Sequence, residues 1–300
     1  METPVIQLNA GHADPAPQDA GPHAGPETVE AWSGKNRNQE NFPVGSWLIS
    51  ARLRPHIHAF YAFARNADDI ADSASLAEAE KLRRLNIMED VLLGHRAGAS
   101  PTAGRLRASL AETGVTPDHA RDLLHAFRQD AMNARMRNWS DLMDYCRYSA
   151  MPVGRYVLDL HGARPEARPH SDALCAVLQV LNHLQDCAKD YIELNRTYLP
   201  RDMMAHAGAT DEDLRRPAET PALRVVFAEL LAKCDELNRA AAPLPAFAPD
   251  RRLRIECAII CNLARHLTRQ LRRQDPVATR VKLSKTDVAF SLLGAVKFAA

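Results

Sequence analysis

The chain has 300 residues, 46% of them hydrophobic, with 38 basic and 37 acidic side chains and a formal net charge of +1. That length accommodates one large helical unit, and the balanced charge gives no basic surface of the kind that nucleic acid requires. No stretch approaches the roughly 18 apolar residues of a membrane-spanning helix and no signal-peptide core is visible near the N-terminus, so a cytoplasmic protein is expected, peripheral at most to the inner membrane. Residues 1–38 are rich in Pro, Gly, Ala and His, lack periodicity and read as a disordered tail. Residues 39–300 read as a single domain, helical nearly throughout. Pro55 suits the first turn of a helix reaching about Ser73. Further helices are expected near 78–94 and 103–113, and from Thr116-Pro117-Asp118 to about Arg137. Ser140-Asp141 caps one through about Ser149, and Pro152 restarts the chain. Ser171-Asp172 caps a long helix to about Glu193, followed by helices near 221–240, 249–273 and 284–298, with loops at 160–170 and 241–250. No alternating strand pattern occurs. The cysteines Cys146, Cys175, Cys187, Cys234, Cys257 and Cys261 form no Cys-x-x-Cys pair and read as small buried residues in a reducing compartment.

Two acidic clusters stand out inside these helices: Asp68-Asp69-Ile70-Ala71-Asp72 and the string Asn182 to Asp190. Four-residue spacing stacks Asp68 over Asp72, and Asn182 over Asp186 over Asp190. On a wheel, Tyr61, Arg65, Asp68 and Asp72 fall within about 60°. Taken alone, that edge equally suits a solvated face carrying an Arg–Asp pair. The second helix is more telling. Leu174, Val177, Leu178, Leu181 and Leu184 form a core stripe, while Gln179, Asn182, Asp186 and Asp190 gather within about 80° elsewhere. A helix apolar on several sides is central, and buried carboxylates on it need a cationic partner. Mg²⁺ takes oxygen ligands and commonly bridges protein carboxylates to substrate phosphates. Several Mg²⁺ ions between two such helices would grip a diphosphate and neutralise the charge that develops as a C–O bond breaks. Arg52, Arg65, Lys189 and Arg196 are the nearby cations, and Phe60, Tyr61, Phe63, Tyr145, Tyr148 and Tyr156 are available to wall a dry cavity.

Four blocks give the chain its family likeness. Tyr61-Ala62-Phe63-Ala64-Arg65-Asn66-Ala67-Asp68-Asp69-Ile70-Ala71-Asp72 resembles the first aspartate-rich helix of the squalene/phytoene synthases. Tyr145-Cys146 with Ala150-Met151-Pro152-Val153-Gly154 resembles their tyrosine and Val-Gly segment. Gln179-Val180-Leu181-Asn182 through Asp186 and Asp190 is similar to their second aspartate motif, and Arg196-Thr197-Tyr198-Leu199-Pro200 to the Arg-x-Tyr-Leu-Pro that follows it. The resemblance implies an all-α isoprenoid-synthase bundle with a central apolar cavity, and Mg²⁺ on Asp68, Asp72, Asn182, Asp186 and Asp190. It also implies diphosphate contacts from Arg65 and Arg196, and Tyr145 and Gln179 facing the reacting chains. Asn41–Ser46 resembles the segment that folds over the diphosphate, which makes Ser46, with Arg52, Tyr61 and Tyr198, a candidate for substrate binding. Many members carry Arg before the first Asp of the second motif. Here that position is Gln185, and Lys189 is the cation on the same helix.

The Glu-Asn-Phe-Pro-Val start and the Asn-His-Leu-Gln-Asp-Cys-Ala-Lys-Asp-Tyr string look most like the bacterial hopanoid-pathway subgroup. Its members ionise presqualene diphosphate, rearrange the cation and quench it with water to give hydroxysqualene, without NADPH. The alternatives within the family are condensation of two farnesyl diphosphates to presqualene diphosphate, and reductive squalene or phytoene synthesis. Outside it stand an all-α nucleotide pyrophosphohydrolase and a non-catalytic scaffold. The expected partners are the prenyl diphosphate substrate and other squalene-pathway enzymes. The short apolar helix carrying Val288, Phe290, Leu292, Leu293, Val296 and Phe298 packs on the bundle or touches a membrane surface.

Overall fold

Helix α1, Arg54–Asp72, begins with Pro55 in its first turn, where a missing N–H costs nothing. In a computed structural model the described residues are 28–32, 49–283, 291 and 295. α2 is Glu78–Leu93 and α3 is Pro101–Thr113, each closed by a left-handed glycine, Gly94 and Gly114. α4, Asp118–Ala131, ends earlier than the sequence pattern suggests. Asn133 there adopts φ 51°, and the chain then runs extended so that the backbone carbonyls of Met136 and Arg137 accept from the amides of Arg201 and Asp202 at 3.0 Å. A tertiary pairing has overridden local helix propensity. α5, Trp139–Ser149, is capped by Asn138, whose side chain accepts from the Asp141 amide, rather than by Ser140. α6 is Met151–Leu160.

The central α7 is Arg168–Leu194 and starts before Ser171, with Pro169 in its first turn. α8, Arg201–Ala207, and a 3₁₀ turn at Asp211–Arg215 carry no strong periodicity and went unpredicted. α9 is Pro221–Ala241, α10 the short Leu244–Phe247 inside the expected loop, and α11 Arg251–Arg273, capped by Asp250. Among the described residues there is no strand, and no helix is long and apolar enough to cross a membrane. Of the expected C-terminal helix only Ser291 and Ala295 are described. Both are helical and buried, and the Ser291 carbonyl accepts from Asn262 Nδ2 at 3.0 Å. The apolar side chains named above for that helix lie outside the described residues.

Two cores form. α1 and α2 pack on α3 and α4, burying Phe63, Ile70, Leu85, Met88, Leu106 and Leu124. α7 packs on α9, α6 and α11 through Val177, Leu181 and Leu184 against Phe227, Leu230 and Leu267. Tyr156 ties α6 into the first core: it stacks on Phe60 with centroids 4.0 Å apart and donates to the His56 carbonyl at 3.0 Å. Phe60, Phe63 and Tyr156 are therefore core residues. All six cysteines are free, and five of them are buried.

The composition assigned all of 1–38 to a tail, but Thr28–Trp32 is bound to the bundle. The Val29 amide donates to the Ala99 carbonyl at 3.0 Å, and the buried Asn66 donates to the Ala31 carbonyl at 2.5 Å. The Glu30 carboxylate accepts from the Thr102 amide at 2.6 Å and from the Ser100 hydroxyl at 3.1 Å, adding an external cap to α3. A low-complexity sequence hides this, because the partners lie some seventy residues away.

Candidate active site

The seam between the two cores holds a cavity of about 270 Å³. α1 supplies Asp68 and Asp72, α4 Phe127 and Asp130, and α5 Tyr145 and Ser149. α7 supplies Gln179, His183, Asp190 and Leu194, and the segment after it Arg196 and Tyr198.

On the α1 side, Arg65 forks between Asp68 at 3.0 Å and Asp69 at 2.9 Å, the i,i+3 and i,i+4 reach of a helix. Asp72 takes Arg196 at 2.7 Å from across the seam. Behind them Asp130 is a hub: it accepts from Tyr198 at 2.8 Å and Tyr145 at 2.9 Å, and its backbone carbonyl accepts from Arg196 at 3.0 Å. Burial raises the Asp130 pKa, and the Arg196 guanidinium and the two phenols oppose that rise. Burial also opposes the charge of Arg196, but Tyr198, Asp130 and Asp72 outweigh it and push its pKa up. Both tyrosines are raised well above the ordinary phenol value, first by burial and next by Asp130.

The carboxylates at the mouth repel one another. Asp68 is pushed up to about 8, by burial first and then by Asp72, with Arg65 opposing. Asp190 is pushed up to about 7, by burial and then by Asp186 and Asp72. Asp72 thus acts electrostatically on both helices, so the two acidic motifs share one site.

The rest of the second motif is arranged less as expected. Asp186 is held by Arg280, whose Nε and Nη2 lie 2.7 and 2.9 Å from its two oxygens. Gln185 is buried and donates to the Val281 carbonyl at 2.5 Å, which fixes the segment that delivers Arg280. Gln185 thus anchors the segment that brings Arg280 to Asp186. Lys189 does not fill that place: its side chain is 56% exposed and pairs with Glu193 at 3.9 Å. Asn182 is half-buried on α7, outside the cavity lining.

Of the other expected residues, Tyr61 is half-buried one turn before Arg65 and does not line the cavity. Arg52 is exposed in the turn before α1 and does not line the cavity. Ser46 lies outside the described residues.

Asp130, His183, Ser149 and Arg280 were missed. A signal existed for two of them. Asp130 continues the Leu123, Phe127 stripe of α4, so a carboxylate sits on an apolar face. His183 lies within about 20° of Asp190 on the wheel of α7. Arg280 left no local signal, because its partner is 94 residues away.

Hard oxygen donors that repel one another suit a divalent cation. Among the described residues no three His, Cys, Asp or Glu side chains already converge as a metal cage.

The squalene/phytoene synthase family pattern matches residues 35–287. A hydroxysqualene synthase of Rhodopseudomonas palustris is 46% identical over 267 residues, 89% of this chain and 91% of that one. One from Sinorhizobium fredii is 45% identical over 258 residues, 86% and 88% of the two chains. Among solved structures, a squalene synthase from Alicyclobacillus acidocaldarius is 31% identical with a TM-score of 0.69, covering 79% of this chain and 90% of that one. A ligand-bound dehydrosqualene synthase, 21% identical with a TM-score of 0.71 over 87% of this chain and 92% of that one, shares the fold. The all-α isoprenoid-synthase bundle, the paired acidic helices at its seam and these likenesses agree: the chain is an enzyme that belongs to the squalene/phytoene synthase family.

Proposed function

We propose that the protein converts presqualene diphosphate to hydroxysqualene, with Mg²⁺ and without NADPH. The similarity to hydroxysqualene synthases over most of the chain supports the choice of reaction. The observation that carries it is the polarity of one cavity. Asp190 lies about 16 Å along α7 from Gln179 and about 10 Å from His183, and one chamber is lined both by carboxylates and by the Tyr145 and Tyr198 rings. Asp68, Asp72, Asn182, Asp186 and Asp190 would hold the Mg²⁺ ions, whose chemistry there is to neutralise the departing diphosphate. Arg65 and Arg196, ion-paired to Asp68 and Asp72, would meet diphosphate oxygens. Tyr145 and Tyr198 have committed their hydroxyl protons to Asp130. What they offer the rearranging cation is aromatic surface, which stabilises positive charge without trapping it. Gln179 adds a neutral amide dipole to the same lining.

The test is product analysis with purified protein and Mg²⁺. Presqualene diphosphate alone is expected to give hydroxysqualene whether or not NADPH is present. A hydrocarbon formed only with NADPH would make the enzyme a reductive synthase. Turnover of farnesyl diphosphate without turnover of presqualene diphosphate would make it the condensing enzyme.

A further inference from the structure

We propose that Arg280 competes with Mg²⁺ for Asp186, and so holds the metal off that carboxylate until diphosphate is present. This deepens the reading just given and rests on it. Asp68, Asp72 and Asp190 line the chamber, but Asp186, one turn before Asp190 on α7, does not. Both of its oxygens face Arg280 instead, with Nε at 2.7 Å and Nη2 at 2.9 Å. A carboxylate gripped at both oxygens by a fork of two N–H groups is well satisfied. A divalent cation approaching the same oxygens meets a positive charge beside them.

The pair is free to open. The Asp186 and Arg280 side chains are 23% and 36% exposed, so both are open to solvent. The segment that carries Arg280 does not depend on the pair for its place. On one side, the Asp275 carboxylate accepts from the amides of Val277 at 2.8 Å, Ala278 at 3.0 Å and Glu219 at 2.8 Å. On the other, Val281 is buried and its carbonyl is held by Gln185. The Arg280 side chain can therefore leave Asp186 while its backbone stays. Among the described residues no second carboxylate pairs with Arg280. Yielding Asp186 to a metal thus deprives the guanidinium of its counter-charge and sets two cations side by side.

Diphosphate changes that balance. Its several negative charges offset the repulsion between guanidinium and metal. The penalty that Arg280 imposes therefore falls on the metal alone and largely vanishes for metal with diphosphate. Linkage is reciprocal, so the same factor appears in the other direction: Mg²⁺ tightens diphosphate binding more when Arg280 is present than when it is absent.

The experiment titrates Mg²⁺ by calorimetry into full-length wild type, Arg280→Gln, Asp186→Asn and the double variant, with no substrate present. Arg280→Gln should bind Mg²⁺ about five-fold or more tightly than wild type, and Asp186→Asn should bind it more weakly. In the Asp186→Asn background, Arg280→Gln should change the affinity by less than about two-fold, because the competitor acts through that carboxylate. A second titration, with inorganic pyrophosphate in the presence and absence of Mg²⁺, should show the tightening by Mg²⁺ reduced about five-fold in Arg280→Gln. Should Arg280→Gln fail to fold by circular dichroism, Arg280→Met carries the same expectations. Equal Mg²⁺ affinity in wild type and the folded Arg280 variant overturns the inference, as does an equal gain in both backgrounds or an unchanged effect of Mg²⁺ on pyrophosphate binding. If wild type binds no Mg²⁺, or Asp186→Asn binds it as well as wild type does, the metal reading itself fails, and the role of Arg280 with it.

Discussion

Asp68 and Asp190 show how a site is kept at the expense of the fold. Burial and neighbouring carboxylates raise both pKa values, so each charged side chain weakens the metal-free protein and is retained for what it binds. Asp68→Asn and Asp190→Asn should each lower turnover by about two to three orders of magnitude, while melting in metal-free buffer at or above the wild-type temperature. Collapse of the melting temperature with normal activity per folded molecule would contradict this. These two positions were readable from the sequence because stacking at i and i+4 is a local property of a helix. Asp130 and Arg280 were not read, because their pairings join segments far apart in the chain. Lys189 shows the limit of the local argument: it adjoins Asp190, yet consecutive helix positions diverge by about 100°, and it pairs with Glu193 in solvent.

The helices themselves were largely legible. Helical periodicity, helped in several cases by a first-turn proline or a polar cap, located α1, α2, α3, α5, α7, α9 and α11 to within a few residues. Their ends were less so, as at α4, where pairing with the start of α8 unwinds the last expected turns. Gly154 marks how closely two of them approach. A Cβ at this position would run into Ser171 Oγ and lie 2.6 Å from Cys175 Sγ, both on α7. Gly154→Val should therefore push α6 off α7 and cost about 1–3 kcal/mol, measured as a shift of the urea midpoint. Because α6 carries Tyr156 into the other core, the same variant should loosen the seam. A midpoint equal to wild type would show that the two helices can separate freely.

At the scale of the molecule, the two cores meet around a chamber and through Tyr156 and Val157 of α6, and that arrangement could not be read from periodicity, which reports faces and not their mates. Thr28–Trp32 belongs to the first core, although its composition resembles that of the tail before it. Glu30→Ala removes the acceptor for Thr102 and Ser100 and should cost about 1 kcal/mol, the usual value of a helix cap. Equilibrium unfolding of the full-length variant measures it, and an unchanged midpoint would mean that Ser100 caps α3 unaided.

That short strap has a practical corollary for anyone trimming the gene. The pattern shared with relatives opens at residue 35, yet an expression boundary drawn there would discard Val29 and Glu30, leaving Asn66 without its acceptor in the middle of the first acidic helix. A protein shortened on the authority of homology alone would thus lose activity for a mechanical reason, and the loss would be mistaken for a catalytic one.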